Sequence, residues 1–359
     1  MQTCAVTVAV SASAKETGKV AAVHDEPLRV WSGPLPKVDV ADRTARLALN
    51  PIVRAHLDQR YSPDQLARSY GSLLTHYVLT EAADAEVAAY PLTIGADADA
   101  ASLSFVAEAE THGLRTLVFG GHDVEPVLAA ESIILLHPGP TRGAQPKATA
   151  LALPYLFNDR ATWPEPRPDA PRPSVAFCGQ GAERPLARAR RWARASASPP
   201  TRHIALRAEA LQRLRSEPGL DDRLVVRDRY RAGSTTDADR DRTQGEFDDN
   251  LRSSTYALCL RGTGNFSARF CEALSFGRVP LFVDTDCMLP FEGEIDWQAH
   301  TVWIDQAEVA DIGQRLLAAH ATVLVDPARS PQAQRDLWSD WLTQDGYFRH
   351  LVATLRNLL

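Results

Sequence analysis

Residues 256–283 read YALCLRGTGNFSARFCEALSFGRVPLFV, and this stretch decides the fold. Its first five residues form an apolar, β-prone run, the pattern of a buried strand. Gly262 and Gly264 then break the run in a tight turn. Residues 267–276 read as a helix, and VPLFV over 279–283 is a second strand. Strand, glycine loop, helix, strand is a βαβ unit, and such units build parallel sheets.

Working outward, SVAFC over 174–178 is another strand, ending in Gly179-Gln180-Gly181. Helical patterns follow over 184–197 and 202–215, then a short strand over 224–226. The polar stretch GSTTDADRDR over 233–242 reads as a surface loop and 243–253 as a helix. In the first half, helical spacing over 63–80 precedes EVAAYPL (86–92), a buried strand. A helix over 102–112 ends at Gly113. Further strands are LRTLVF (114–119), closed by Gly120 and Gly121, and SIILL (132–136). Between the halves lies WPEPRPDAPRP (163–173), whose five prolines suit neither sheet nor helix interior. The expected division is a domain over 1–162, a linker over 163–173, a domain over 174–330 and closing helices over 331–359.

A chain of 359 residues suits two domains and hence a cleft between them. Its content, 45% hydrophobic and 23% charged, is that of a globular protein. The net charge of -6 argues against a nucleic-acid partner, because phosphate-backbone affinity needs clustered basic residues. The five cysteines show no paired spacing, which speaks against a disulfide framework or a structural zinc site. No run approaches the roughly 18 apolar residues of a membrane span. The N-terminus lacks the basic region of a signal peptide, so a cytoplasmic location is expected. Lysine occurs only at Lys15, Lys19, Lys37 and Lys147, an arginine bias that reflects genome composition.

Chemistry concentrates where the 256–260 strand meets its helix. Gly262 and Gly264 let the backbone approach a ligand, and the helix N-terminus favours a phosphate. Asn265 lies in the same turn. Ser267 suits the N-cap or a hydroxyl donated to the same anion. Arg261 and Arg269 bring fork-shaped donors for a diphosphate. Glu272 could accept hydrogen bonds from ribose hydroxyls. The alternative is a plain helix start with a capping serine and a solvated glutamate. Asp284-Thr285-Asp286, directly after the 279–283 strand, also has the spacing of a divalent-metal pair. For a general base, Asp123 and His122 stand at the end of a parallel strand, where ligand crevices form. Asp123 could instead cap a helix beginning near Glu125.

The string from Tyr256 to Trp297 resembles the exostosin family of glycosyltransferases. The shared features are the strand and Arg261-Gly262 turn, Ser267 with Arg269, Glu272-Ala273, Gly277-Arg278-Val279-Pro280, Leu289-Pro290-Phe291 and Asp296-Trp297. The resemblance implies an α/β fold of the GT-B type, two Rossmann-like domains whose parallel sheets face a central cleft. It implies an acceptor-binding N-terminal half and a nucleotide-sugar-binding C-terminal half, with the loop at 284–286 beside the sugar, where Asp286 could touch the donor sugar and no metal site is assigned. It further implies inverting, metal-independent transfer from a UDP- or GDP-linked sugar, with no other cofactor, to a glycan, glycolipid or small-molecule acceptor. Length, arginine bias and the bare N-terminus are similar to those of a bacterial cytoplasmic relative. Two rivals stay open, a fucosyltransferase-like enzyme, whose lysine-rich donor signature is missing, and a noncatalytic nucleotide-sugar-binding partner protein.

Overall fold

The computed structural model describes residues 26–35, 48–58, 71, 73–96, 98–121, 123–163, 166, 171–181, 201–228 and 233–359. In chain order the first half comprises β1 (Leu28–Trp31), α1 (Pro51–Leu57), α2 (Leu73–His76), β2 (Tyr77–Leu79), β3 (Val87–Ile94), α3 (Ala100–Thr111), β4 (Thr116–Gly120), β5 (Ile133–His137) and β6 (Thr149–Ala152). These strands form one parallel sheet in the order β2-β1-β3-β4-β5-β6. The second half comprises β7 (Ser174–Gln180), α4 (Thr201–Ser216), β8 (Asp221–Arg227), α5 (Asp237–Arg252), β9 (Tyr256–Cys259), α6 (Ala268–Ser275), β10 (Val279–Asp284), α7 (Trp297–His300), β11 (Val302–Asp305) and α8 (Ile312–Val325). Its parallel sheet runs β11-β10-β9-β7-β8. Two parallel α/β sheets are the expected GT-B-type architecture.

Strands such as β4, β5 and β9 are buried at every position, which requires cover on both faces and explains why they read as continuous apolar runs. The chain crosses between the halves twice. It leaves β6 at Ala152, and by Phe157 it already packs on the second core, against Trp338 at 5.6 Å. Arg160 then pairs with Asp248 and Glu272 at 3.2 and 2.8 Å, and Asp159 pairs with Arg335. Only afterwards comes the proline run.

The return crossing is made by the closing helices. α9 (Pro331–Leu337) continues through a π turn over Trp338–Leu342 into α10 (Gln344–Leu358). Trp338 and Leu342 pack in the second half, whereas Tyr347, Phe348, Leu351, Val352 and Leu355 form one face of α10 buried in the first-half core. Truncating any fully buried member of such a face removes about 2–5 kcal/mol. This helix pair therefore fastens the two halves together.

Several local differences from the sequence reading have physical causes. The polar stretch 233–242 is a loop only as far as Thr236. Its hydroxyl accepts from the Asp239 N–H at 3.1 Å, and Asp237 and Asp239 face the positive end of α5, so the helix starts at Asp237 rather than at the expected Thr243. Residues 125–130 are irregular, so Asp123 caps no helix there. β1, α1, β11 and α8 had no clear periodic signal, being short or apolar on several faces. The helical readings over 184–197 and 63–70 lie outside the described residues, as does much of the proline run. The rest of the 63–80 reading is only partly helical: 73–76 is α2, but Tyr77–Leu79 is strand β2, which pairs in register with β1.

Burial depresses the pKa of the half-buried His76, His300 and His350, with the Arg349 charge adding to the effect at His76 and His350 and nearby carboxylates opposing it. His350 stacks on Trp341 at 3.7 Å between ring centroids. For a depressed histidine the unfolded chain binds more protons, so the stabilisation is present above the unfolded pKa near 6.5 and lost as pH falls through the folded value. The melting temperature is expected to drop between pH 7 and pH 5, and His350→Gln to flatten that drop, as a pH series of thermal melts would reveal.

Candidate functional site

In the second sheet, β7 lies between β8 and β9, so the chain order reverses at β7. Helices leave to opposite faces at such a point and open a crevice at the carboxyl ends of the strands. Arg269, in the first turn of α6, fills the wall of this crevice. Its Nη2 donates to the Cys178 carbonyl at 2.9 Å at the end of β7, and its Nη1 to the Leu258 carbonyl on β9 at 3.5 Å. The guanidinium lies 4.5 Å from the Phe177 ring centroid, a cation–π contact that fixes its plane. A methyl group on Gly179 would stand 3.0 Å from Arg269 Nη2, so the glycine gives the arginine its room.

Two more arginines converge there. Arg207 reaches from α4, donating through Nη1 to the Gln180 carbonyl at 2.8 Å and through Nη2 to the Arg261 carbonyl. Arg261 donates to the Thr263 carbonyl at 3.2 Å. Among the described residues none of the three pairs with a carboxylate, and each keeps a buried Nε without a partner. Burial, and then the neighbouring Arg269 charge, lowers the Arg207 pKa to about 10; burial also lowers that of Arg261. Buried positive charge without a counter-ion is costly, and a bound anion would remove that cost. Helix α4 read as an ordinary amphipathic pattern, and the arginine-rich composition concealed Arg207. The one available signal was its position on the helix after a glycine-ended strand.

The glycine loop meets the first half directly. Gly264 abuts Asp123, where an added Cβ would lie 3.1 Å from the Asp123 carbonyl oxygen and 3.4 Å from Oδ1. Asp123 is exposed at the cleft. The structure thus brings Asp123 to the glycine loop across the cleft, although the two lie far apart in sequence. His122 lies outside the described residues. Gly262 closes the loop by donating to the Phe266 carbonyl at 3.3 Å. Asn265 is buried and spans the halves, donating to Thr141 Oγ1 at 3.1 Å and accepting from Thr285 Oγ1 at 2.7 Å.

Ser267 occupies the N-cap position of α6, but its hydroxyl makes no capping bond. Glu272 is engaged by Arg160, on the side of α6 that faces the crossover, rather than standing open to a ribose. Asp286 is exposed with φ of 59°, a left-handed conformation unusual for a residue with a Cβ. Asp284 accepts from Arg142 through both carboxylate oxygens. Among the described residues no group of three or more potential metal ligands occurs. Arg227, at the end of β8, pairs with Glu246 at 2.5 Å.

The model for the exostosin GT47 domain matches residues 133–319, from β5 through most of α8. Exostosin-1 of Drosophila melanogaster is 38% identical over 61 residues, 17% of this chain and 8% of that protein. The exostosin-1 homolog of Caenorhabditis elegans is 33% identical over 73 residues, 20% of this chain and 19% of that protein. The probable beta-1,4-xylosyltransferase IRX10 of Arabidopsis thaliana is 24% identical over 133 residues, 36% of this chain and 32% of that protein. The matches therefore span under a third of each of these relatives.

The interlock between the halves makes a glycine test specific. Gly139 has φ of 84°, and an added Cβ would fall 2.5 Å from both the Asn265 carbonyl oxygen and Phe266 Cβ. Gly143 has φ of 72° with nothing within 4 Å. In denaturant melts Gly139→Ala is expected to cost about 3 kcal/mol or more, from backbone strain and overpacking together, and Gly143→Ala about 1 kcal/mol, from strain alone.

Proposed function

Because the chain belongs to the exostosin GT47 family, we propose that it transfers a sugar from a nucleoside-diphosphate donor to an acceptor hydroxyl. The observation that carries this reading is the cluster of Arg207, Arg261 and Arg269 at the reversal point of the second sheet, half-buried, each with a buried Nε that has no partner, and without a carboxylate partner among the described residues. A diphosphate matches its charge and the fork geometry of guanidinium groups.

In this reading the acceptor oxygen attacks the anomeric carbon as the bond from that carbon to the diphosphate breaks. The acceptor proton passes to Asp123, which stands against the donor loop at Gly264. Negative charge grows on the departing diphosphate, where the three guanidiniums stabilise it more strongly than in the ground state. Attack from the face opposite the leaving group inverts the anomeric configuration. Metal-independent transfer is supported by the pairing of Asp284 with Arg142, which already balances the charge of that carboxylate. The names of the relatives make glucuronosyl and xylosyl donors the first to try. A bacterial, cytoplasmic setting is part of the same proposal and is supported by the arginine bias; no helix among the described residues is long and apolar enough to cross a membrane.

Two outcomes are expected. A panel of nucleoside diphosphates in EDTA should raise the melting point with one member, and Arg207→Met or Arg269→Met should weaken its binding about ten- to a hundredfold, the loss of one charged hydrogen-bond set worth about 1.5–3 kcal/mol. No shift with any diphosphate would sink the proposal. Asp123→Asn should leave diphosphate binding unchanged and reduce kcat about a hundredfold or more in a sugar-transfer assay; an unchanged kcat would remove Asp123 from the mechanism.

A further inference from the structure

The loop between β5 and β6 is anchored to its own half, where the Thr141 N–H donates to Glu125 and Gln145 bonds to Glu125, Pro126 and Leu128, while its segment 140–142 crosses the cleft and binds the other half. Thr141 forms an isolated antiparallel bridge with Cys287, the Arg142 N–H donates to the Asp286 carbonyl at 2.9 Å, and the Met288 N–H donates to the Pro140 carbonyl at 2.8 Å. The Thr141 hydroxyl accepts from Asn265, in the glycine loop. Arg142 completes the junction. Its Nη1 contacts Asp284 Oδ1 and Oδ2 at 3.1 and 3.0 Å, and its Nε and Nη2 contact Glu292 Oε2 and Oε1 at 3.2 and 2.6 Å. One planar cation from the first half thus satisfies two carboxylates that flank the segment 284–292 of the second.

That segment borders the proposed donor site. Asp286 sits inside it with φ of 59°, and its backbone carbonyl accepts the Arg142 N–H. The side-chain pairs fix the position of that N–H, because a bidentate guanidinium has little freedom to slide. Burial disfavours the Arg142 charge, but the hydrogen bond and charge of Glu292, with the charge of Asp284, outweigh it and raise its pKa. The contact is therefore ionised at any physiological pH, and it exists only while the halves are close.

We infer that Arg142 is a positioning residue, which sets the separation of the two halves and holds Asp286 toward the sugar portion of the donor. The inference rests on the proposed donor site for its second part and on the junction itself for its first. It separates two binding contributions, since the diphosphate is held by Arg207, Arg261 and Arg269 whereas the sugar is oriented by a segment that Arg142 fixes.

The test compares the full-length protein with Arg142→Gln, Arg142→Lys and the double variant Asp284→Asn with Glu292→Gln, which removes the same pairs from the other side should Arg142→Gln fold poorly. Spin labels, one in each half, report the separation, and calorimetry gives the dissociation constants of UDP, GDP and their sugar conjugates. The glutamine variant is expected to broaden or lengthen the distance distribution. It should weaken the sugar conjugate about tenfold while changing the free diphosphate by less than about threefold, with lysine restoring part of the difference. A merely structural role would lower the melting point and leave the ratio of the two constants unchanged, which overturns the inference. An unchanged distance distribution in both variants overturns it as well. Should the unaltered protein bind no diphosphate, the donor-site reading fails and the positioning of Asp286 falls with it, while the distances still decide whether Arg142 sets the separation.

Discussion

The structure turns on three half-buried positive charges that the described residues do not neutralise. Arg207, Arg261 and Arg269 are brought together by backbone carbonyls at the ends of β7 and β9 and by the Phe177 face. Each carbonyl bond stabilises a guanidinium in part, but a carbonyl carries no net charge and cannot replace a counter-ion. An arrangement that costs stability in the empty protein is the kind that persists when a ligand of opposite charge removes the cost. The reversal of strand order at β7 supplies the space, and Gly179 keeps it from being filled.

The same crevice requires a second wall, and the chain supplies it by crossing twice between the halves. The segment after β6 is fastened by Arg160 and Asp159, and α10 returns to bury Phe348 and Leu355 in the first core. These anchors fix which loops face one another: Asp123 meets Gly264, and Gly139 meets Asn265 and Phe266. A reacting centre between a proton acceptor on one half and an anion site on the other depends on this registration, since effective molarity is lost when reacting groups drift apart.

Much of the second half was legible in the sequence because its signals are local. The βαβ unit around 256–283 combines a fully apolar strand, a glycine loop and an amphipathic helix, and its elements fall within a residue or two of their expected limits. The start of α5 was hidden because Thr236, Asp237 and Asp239 are turn-forming and helix-capping residues alike, and composition cannot separate the two uses. Arg207 was illegible for a different reason: its role comes from convergence with Arg261 and Arg269 across a sheet, a relation between distant positions rather than a spacing. Glu272 shows the reverse. Its place on α6 was legible, but its partner, Arg160, comes from the far crossover. The family resemblance, by contrast, was carried by residues close in sequence.

The most direct measurement is a crystal structure of the protein soaked with the nucleoside diphosphate that stabilises it best. The account predicts diphosphate oxygens within about 3 Å of the guanidiniums of Arg207, Arg261 and Arg269, in the crevice between β7 and β9, with the nucleoside on the second half. A diphosphate bound elsewhere, with the three arginines untouched at full occupancy, would contradict it.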